Sequence, residues 1–195
     1  MKPQIGLQLY SLRDQFAEDF HGTIQRVADI GFKGVETAFF SDNITVQEAK
    51  QQFDALGLTV LAAHCPLPLG ETQEFTLSLL ETLQCDRAVW HGWPVDERYQ
   101  TLEGLHSLAE TYNAAHDVTS SHGIRFGLHN HWWEFEPIGE KLPYDILRPL
   151  LHPDIFFELD TYWIQTAGQN PAAIVADLDR KSTRLNSSHG YISYA

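Results

Sequence analysis

Two histidines, an asparagine, two tryptophans and two glutamates follow one another at the end of a short apolar run, RFGLHNHWWEFE at residues 125–136. His129 and His131 are two residues apart, so on an extended strand both side chains point to the same face. Imidazoles sharing a face suit a divalent ion, and Asp160, in the apolar segment FFELDTYW, supplies a hard oxygen donor for it. Imidazole plus carboxylate with open positions fits Mn, Co, Mg or Zn. The plainer alternative is hydrogen bonding among these histidines and Glu134 or Glu136. Glu36, closing GFKGVE, is a candidate acid/base group, and its plainer reading is a buried ion pair. His64, Trp93 and Trp133 are candidates for a substrate pocket, where tryptophan faces stack on the apolar faces of sugars. Glu158 reads as structural, and His106, His116 and His122, on or ending a long helix, read as solvent-exposed. The letters HNH lack the hairpin, helix and basic groove of the nuclease motif.

The elements that must position these residues repeat. Apolar strand-like segments at IGLQLYS, GVETAFF, LTVLAAHC, RAVWHGW, IRFGLHNH and DIFFELD alternate with helical patterns. TVQEAKQQFDALG opens with Thr45 and has Glu48 three residues on, the pattern of a capping box, and it stops at Gly57. Six strand and helix pairs require parallel strands joined by helical crossovers. A doubly wound nucleotide fold would show a glycine-rich phosphate loop after its first strand, and LQLYSLRDQF has none. The expectation is therefore an α/β fold, a partial (β/α)8 TIM barrel of six βα units. Alternation then predicts that Leu7, Val35, Leu61, Ala63, Phe126, Leu128, Phe157 and Leu159 face the helices. Gly6, Gln8, Glu36, His64, His129, Glu158 and Asp160 face the lumen.

Bulk properties set limits. A length of 195 residues with 43% hydrophobic and 20% charged residues describes one packed globular domain. A net charge of −13 disfavours nucleic acid as a partner, since phosphate backbones demand clustered lysine and arginine. No run of residues is apolar enough to span a membrane, and the N-terminus lacks the features of a signal peptide, so a cytoplasmic location is the expectation. Cys65 and Cys85 have neither the number nor the spacing for a disulfide framework or a thiolate zinc site.

Taken together, IGLQLYSLRD, GFKGVE, GIRFGLHNHWWEFEP and FFELDTYWIQTAG resemble the sugar phosphate isomerase/epimerase family of xylose isomerase-like TIM barrels, over about residues 3–178. The resemblance implies a divalent-metal enzyme that removes a proton beside a sugar carbonyl by way of an enediolate. It also implies a metal held by one residue from each of strands five to eight, with Asp160 matching the strand-six aspartate. Where relatives place a strand-five glutamate this chain has His129 or His131, with Glu134 a candidate substitute for the base. Alternatives are an inosose dehydratase-like lyase, a related endonuclease, which the acidic charge disfavours, and a non-catalytic sugar-binding barrel. A small-molecule sugar is the expected partner, and homo-oligomers are compatible with the class. Residues 179–195, DRKSTRLNSSHGYISYA, resemble the translation of a sequencing adapter. The expected organisation is an incomplete barrel domain at 1–178, truncated at its C-terminus, followed by a non-native tail.

Overall fold

A computed structural model describes residues 5–40 and 43–181; the remainder of the tail expected from 179 onward, residues 182–195, lies outside the described residues. Six strands form one sheet: β1 (Gly6–Gln8), β2 (Gly34–Thr37), β3 (Thr59–Cys65), β4 (Arg87–Trp90), β5 (Arg125–His129) and β6 (Phe156–Glu158). They lie in chain order and every neighbouring pair is parallel. The helices are α1 (Arg13–Ile30), α2 (Val46–Ala55), α3 (Gln73–Leu83), α4 (Leu102–Ser121), α5 (Pro143–Leu147), α6 (Thr161–Thr166) and α7 (Pro171–Lys181). The partial barrel expected from the strand and helix alternation is the fold found.

Local chemistry explains where the elements begin and end. Thr45 Oγ1 accepts from Glu48 N while Glu48 Oε2 accepts from Thr45 N, so the capping box closes in both directions at α2. α1 begins earlier than its apolar stripe suggests. It kinks at Asp19 (φ −153°, ψ 88°), whose carboxylate accepts from Gly22 N at 2.9 Å and restarts the helix. Gly31 ends it at φ +109°, a conformation that a side chain would strain. No helix among the described residues is long and apolar enough to cross a membrane.

The main core lies between the outer face of the sheet and the helices. Val35, Ala63, Ala88, Phe126 and Leu128 point into it and meet Ile24, Phe53, Leu80, Leu105 and Leu108. Full burial of a side chain such as Phe126 contributes roughly 1.5–3 kcal/mol. A smaller cluster of Phe135, Tyr144, Leu159 and Ile164 packs below α5 and α6.

Two expectations are corrected. Leu61 faces the lumen rather than the helices. Val35 pairs with Val60 but Glu36 pairs with Ala62, so Leu61 is the extra residue of a bulge. Its side chain covers Gly6 and Gly34, and a Cβ at Gly34 would overlap it. The bulge restores the phase above it, so Ala63 still faces the helices and His64 the lumen. His116 is buried, with 7% exposure, rather than solvent-exposed. It lies four residues after the buried Tyr112, on the core side of α4, and stacks on His152 with ring centroids 4.0 Å apart.

Candidate functional site

The C-terminal ends of the strands bring inward-facing polar residues into a single chain of contacts. Gln8, closing β1, donates from Nε2 to Glu36 Oε1 at 2.7 Å. His64 Nε2, from β3, stands 3.2 Å from that oxygen and 2.8 Å from Glu158 Oε1 of β6. His129 Nδ1, at the end of β5, reaches the same Glu158 oxygen at 2.9 Å. Five strands thus contribute one side chain each to a buried relay across the lumen.

Electrostatics differentiates its members. Burial pushes Glu36 up to about 7, helped by the neighbouring Glu158 and opposed by His64. Burial works against protonation of His64, yet the Glu158 and Glu36 carboxylates outweigh it and lift the ring to about 10. Glu158 goes the other way: burial works to raise it, but His64 and the hydrogen bond from His129 hold it well below the usual carboxylate range. The relay therefore rests as a histidinium between one firm carboxylate and one that titrates near neutrality. Glu36 is fully buried at 0% exposure and its Oε2 has no hydrogen-bond partner, so it meets the lumen only through its neighbours.

The mouth above the relay is built by the HNH segment. Asn130 turns away from the lumen and staples β5 to the end of β6: its Oδ1 accepts from Asp160 N at 2.8 Å and its Nδ2 donates to Asp160 O at 3.2 Å. That clamp sets Asp160, whose Oδ1 caps α6 by accepting from Tyr162 N and Trp163 N. Asp160 Oδ2 is left 4.0 Å from His129 Nε2. The His131 ring meets His129 edge to face at 5.1 Å and stacks on Trp133 at 4.4 Å, and burial, with the other histidines adding to it, lowers its pKa to about 3. His91, beyond β4, is likewise lowered to about 4 by burial and by His64 and His129.

The remaining candidates are distributed unevenly. Trp93 is 55% exposed at the mouth, its ring 5.9 Å from His131 and 6.0 Å from Trp133. Trp133 is only 4% exposed and backs the His131 ring. Glu134 Oε2 accepts from His131 N at 2.9 Å, bracing the turn, and burial raises its pKa to about 8. It stands near enough to Tyr99 and Tyr112 to add to the upward shift that burial gives both phenols. The sequence placed Glu158 in the lumen as a structural residue without its central part in the relay, and it assigned Asn130 no part in the site. Glu158 carries the centre of the relay, and its inward register beside Asp160 was the available signal. Asn130 offered no signal beyond its place between two histidines.

The donor set suits a divalent ion. His64, His129 and Glu158 place donor atoms within 4.8 Å of one another, and those atoms are already hydrogen-bonded to each other. The open donors are His129 Nε2 and Asp160 Oδ2; His131, whose buried Nδ1 has no partner, does not bring a ring nitrogen within 4.8 Å of both, so the expected three-residue set is not assembled. A buried ring nitrogen left without a partner costs about 1–3 kcal/mol, a cost a bound cation offsets.

Comparison with known proteins places the fold. A sugar phosphate isomerase/epimerase from Parabacteroides distasonis is similar at a TM-score of 0.71 and 22% identity, over 91% of this chain and 72% of that one. A probable 3-DHS dehydratase from Bacillus anthracis has a TM-score of 0.66 at 15% identity, over 91% of this chain and 70% of the other. D-psicose 3-epimerase from Clostridium cellulolyticum H10 has a TM-score of 0.57 at 20% identity, over 84% of this chain and 65% of the other. No curated protein sequence matches the chain significantly. These likenesses are of fold. Residues 24–190 match the family model described as xylose isomerase-like TIM barrel, and the chain belongs to that family.

Proposed function

We propose that the protein is a divalent-metal-dependent isomerase or epimerase of a sugar or sugar phosphate. The observation that carries the proposal is the pairing of His129 Nε2 and Asp160 Oδ2, 4.0 Å apart, above a relay whose Glu36 titrates near neutrality. His129 and Asp160 would hold the ion with His131 beside them. When bound, such an ion polarises a carbonyl and offsets the negative charge that develops when the adjacent proton leaves.

The chain's own residues do the rest. His64 commits Nε2 to Glu158 and Glu36, which leaves Nδ1 as the ring atom that meets the lumen. The transfer starts from neutral His64 with hydrogen on Nε2: its Nδ1 takes the substrate's proton as the Nε2 proton passes to Glu36, whose pKa of about 7 lets it accept and return that proton. Return by the relay to the neighbouring carbon gives an isomer, and protonation of the same carbon on its opposite face by solvent gives an epimer. Glu158 accepts from His64 Nε2 and holds the ring in place. Glu134, spent on the His131 backbone, braces the loop and is less suited to the base's role than Glu36. Trp93 offers an exposed face for the sugar, which excludes water from one side of the ring.

The likeness to a dehydratase keeps a lyase as the second reading, because the same proton abstraction followed by loss of a β-hydroxyl is dehydration. Incubation with candidate ketoses and Mn²⁺ in D₂O separates the two. Deuterium at the carbon beside the carbonyl without loss of water supports isomerisation or epimerisation, and loss of water supports the lyase. E36Q and H64Q should both suppress exchange; exchange that persists in both would remove the relay from the mechanism.

A further inference from the structure

Glu158 Oε1 lies between two ring nitrogens, 2.8 Å from His64 Nε2 and 2.9 Å from His129 Nδ1. A carboxylate oxygen accepts and does not donate, so each nitrogen that meets it must carry the hydrogen. For His129 this has a directional consequence. A neutral imidazole with hydrogen on Nδ1 presents its lone pair on Nε2, the nitrogen that faces Asp160 Oδ2 at 4.0 Å.

We infer that Glu158 is a positioning residue: it locks His129 in the Nδ1–H tautomer and so aims the Nε2 lone pair at the place where Asp160 offers its free oxygen. Carboxylates behind a metal-binding histidine commonly set its tautomer and basicity. Here the carboxylate is held from behind. His64 anchors the same Oε1, Gln8 and His64 both contact Glu36 Oε1, and Glu36, His64 and Glu158 are buried, so the ring cannot rotate away without breaking its bond to a fixed carboxylate. Four strands besides β5 thereby constrain the direction of one lone pair. A strand-five histidine has a choice of two donor nitrogens, and Glu158 removes the choice. The inference rests on the metal reading for its purpose, but the tautomer itself does not depend on it.

The test uses the full chain with ¹⁵N-labelled histidine. Long-range ¹H–¹⁵N correlation spectra of the metal-free protein should show His129 with hydrogen on Nδ1 and a bare Nε2. E158L should shift His129 toward the Nε2–H form that free imidazoles prefer, and weaken Co²⁺ binding by about 10–100-fold. Should E158L not fold, E158Q provides the same reading, because its amide can donate to Nδ1 as well as accept and should yield a mixture of tautomers. His129 found as Nε2–H in the wild-type protein, or unchanged in both variants, would overturn the lock. A locked wild-type protein that binds no Co²⁺ would overturn the metal reading instead while upholding the lock.

Discussion

The lumen has two layers built from the same inward positions of the same strands, and they are chemical opposites. The lower layer holds Gly6, Gly34, Leu61, Gly127 and Phe156; the upper layer, two residues along four of the strands and three along the bulged β3, holds Gln8, Glu36, His64, His129 and Glu158. Below, glycines make room for large apolar side chains from neighbouring strands: Leu61 fills the space over Gly6 and Gly34, and Phe156 the space over Gly127. Above, every position is polar, and each makes its contact across the lumen. Alternation sets which face a residue takes everywhere but at Leu61, which the β3 bulge turns inward. The lower layer lies beneath the relay, so the buried charges above it rest on apolar side chains and find their partners in one another.

The comparison is tested most severely by deletion in the upper layer. H129A and D160N should each weaken Mn²⁺ or Co²⁺ binding by at least about 100-fold in calorimetric titration, and D160N, which keeps the Oδ1 cap of α6, should leave the thermal midpoint near that of the parent. Unchanged affinity in both would make the upper layer a structural network only. The next effect falls on the lower layer. G127A forces a methyl into the Phe156 ring and should cost about 1–3 kcal/mol in urea unfolding, and adding F156L should recover part of it. Metal affinity should barely change, which keeps the two layers separable.

A smaller effect follows from protons. His64 is raised to about 10, so the stability it contributes is full below its ordinary pKa near 6.5 and is lost as pH rises through 10. Glu36 at about 7 and Glu134 at about 8 bind protons more tightly than in the unfolded chain, and their contributions also fade with rising pH, from about 4.5 upward. His91 at about 4 and His131 at about 3 act oppositely, favouring the folded state as pH climbs to 6.5. Above pH 6.5 these rising-pH losses all run one way, so the thermal midpoint of the metal-free protein should fall steadily toward pH 10. E134Q should flatten the part of that fall below pH 8; a midpoint that rises over this range would show that the buried relay is not charged as described. The smallest effect belongs to the rim. W93A removes one exposed stacking face and should weaken sugar binding by about five-fold, equivalent to about 1 kcal/mol, in a fluorescence titration.

Much of the upper layer was legible because alternation is a local rule. Val35 and Glu36, or Leu128 and His129, differ so sharply in polarity that inside and outside follow from adjacent residues. Leu61 was misread for the same reason: a bulge inserts one residue without changing the composition of the strand, and only the pairing of Glu36 with Ala62 reveals it. His116 was misread because histidine on a helix looks solvent-facing until its position relative to Tyr112 is considered. Glu158 and Asn130 are the instructive cases. Their importance lies in what they touch across 94 residues to His64 and 30 residues to Asp160, and no local pattern encodes such distances.

The central claim is that the upper layer directs His129 Nε2 and Asp160 Oδ2 at one divalent cation. Crystals of the full chain soaked in Mn²⁺ and measured for anomalous scattering test it directly. The account predicts a peak at coordination distance, about 2.0–2.2 Å, from both atoms. A peak only elsewhere, such as among His116, His152 and Asp154 at the opposite end of the strands, or no peak at Mn²⁺ concentrations that support turnover, would contradict it.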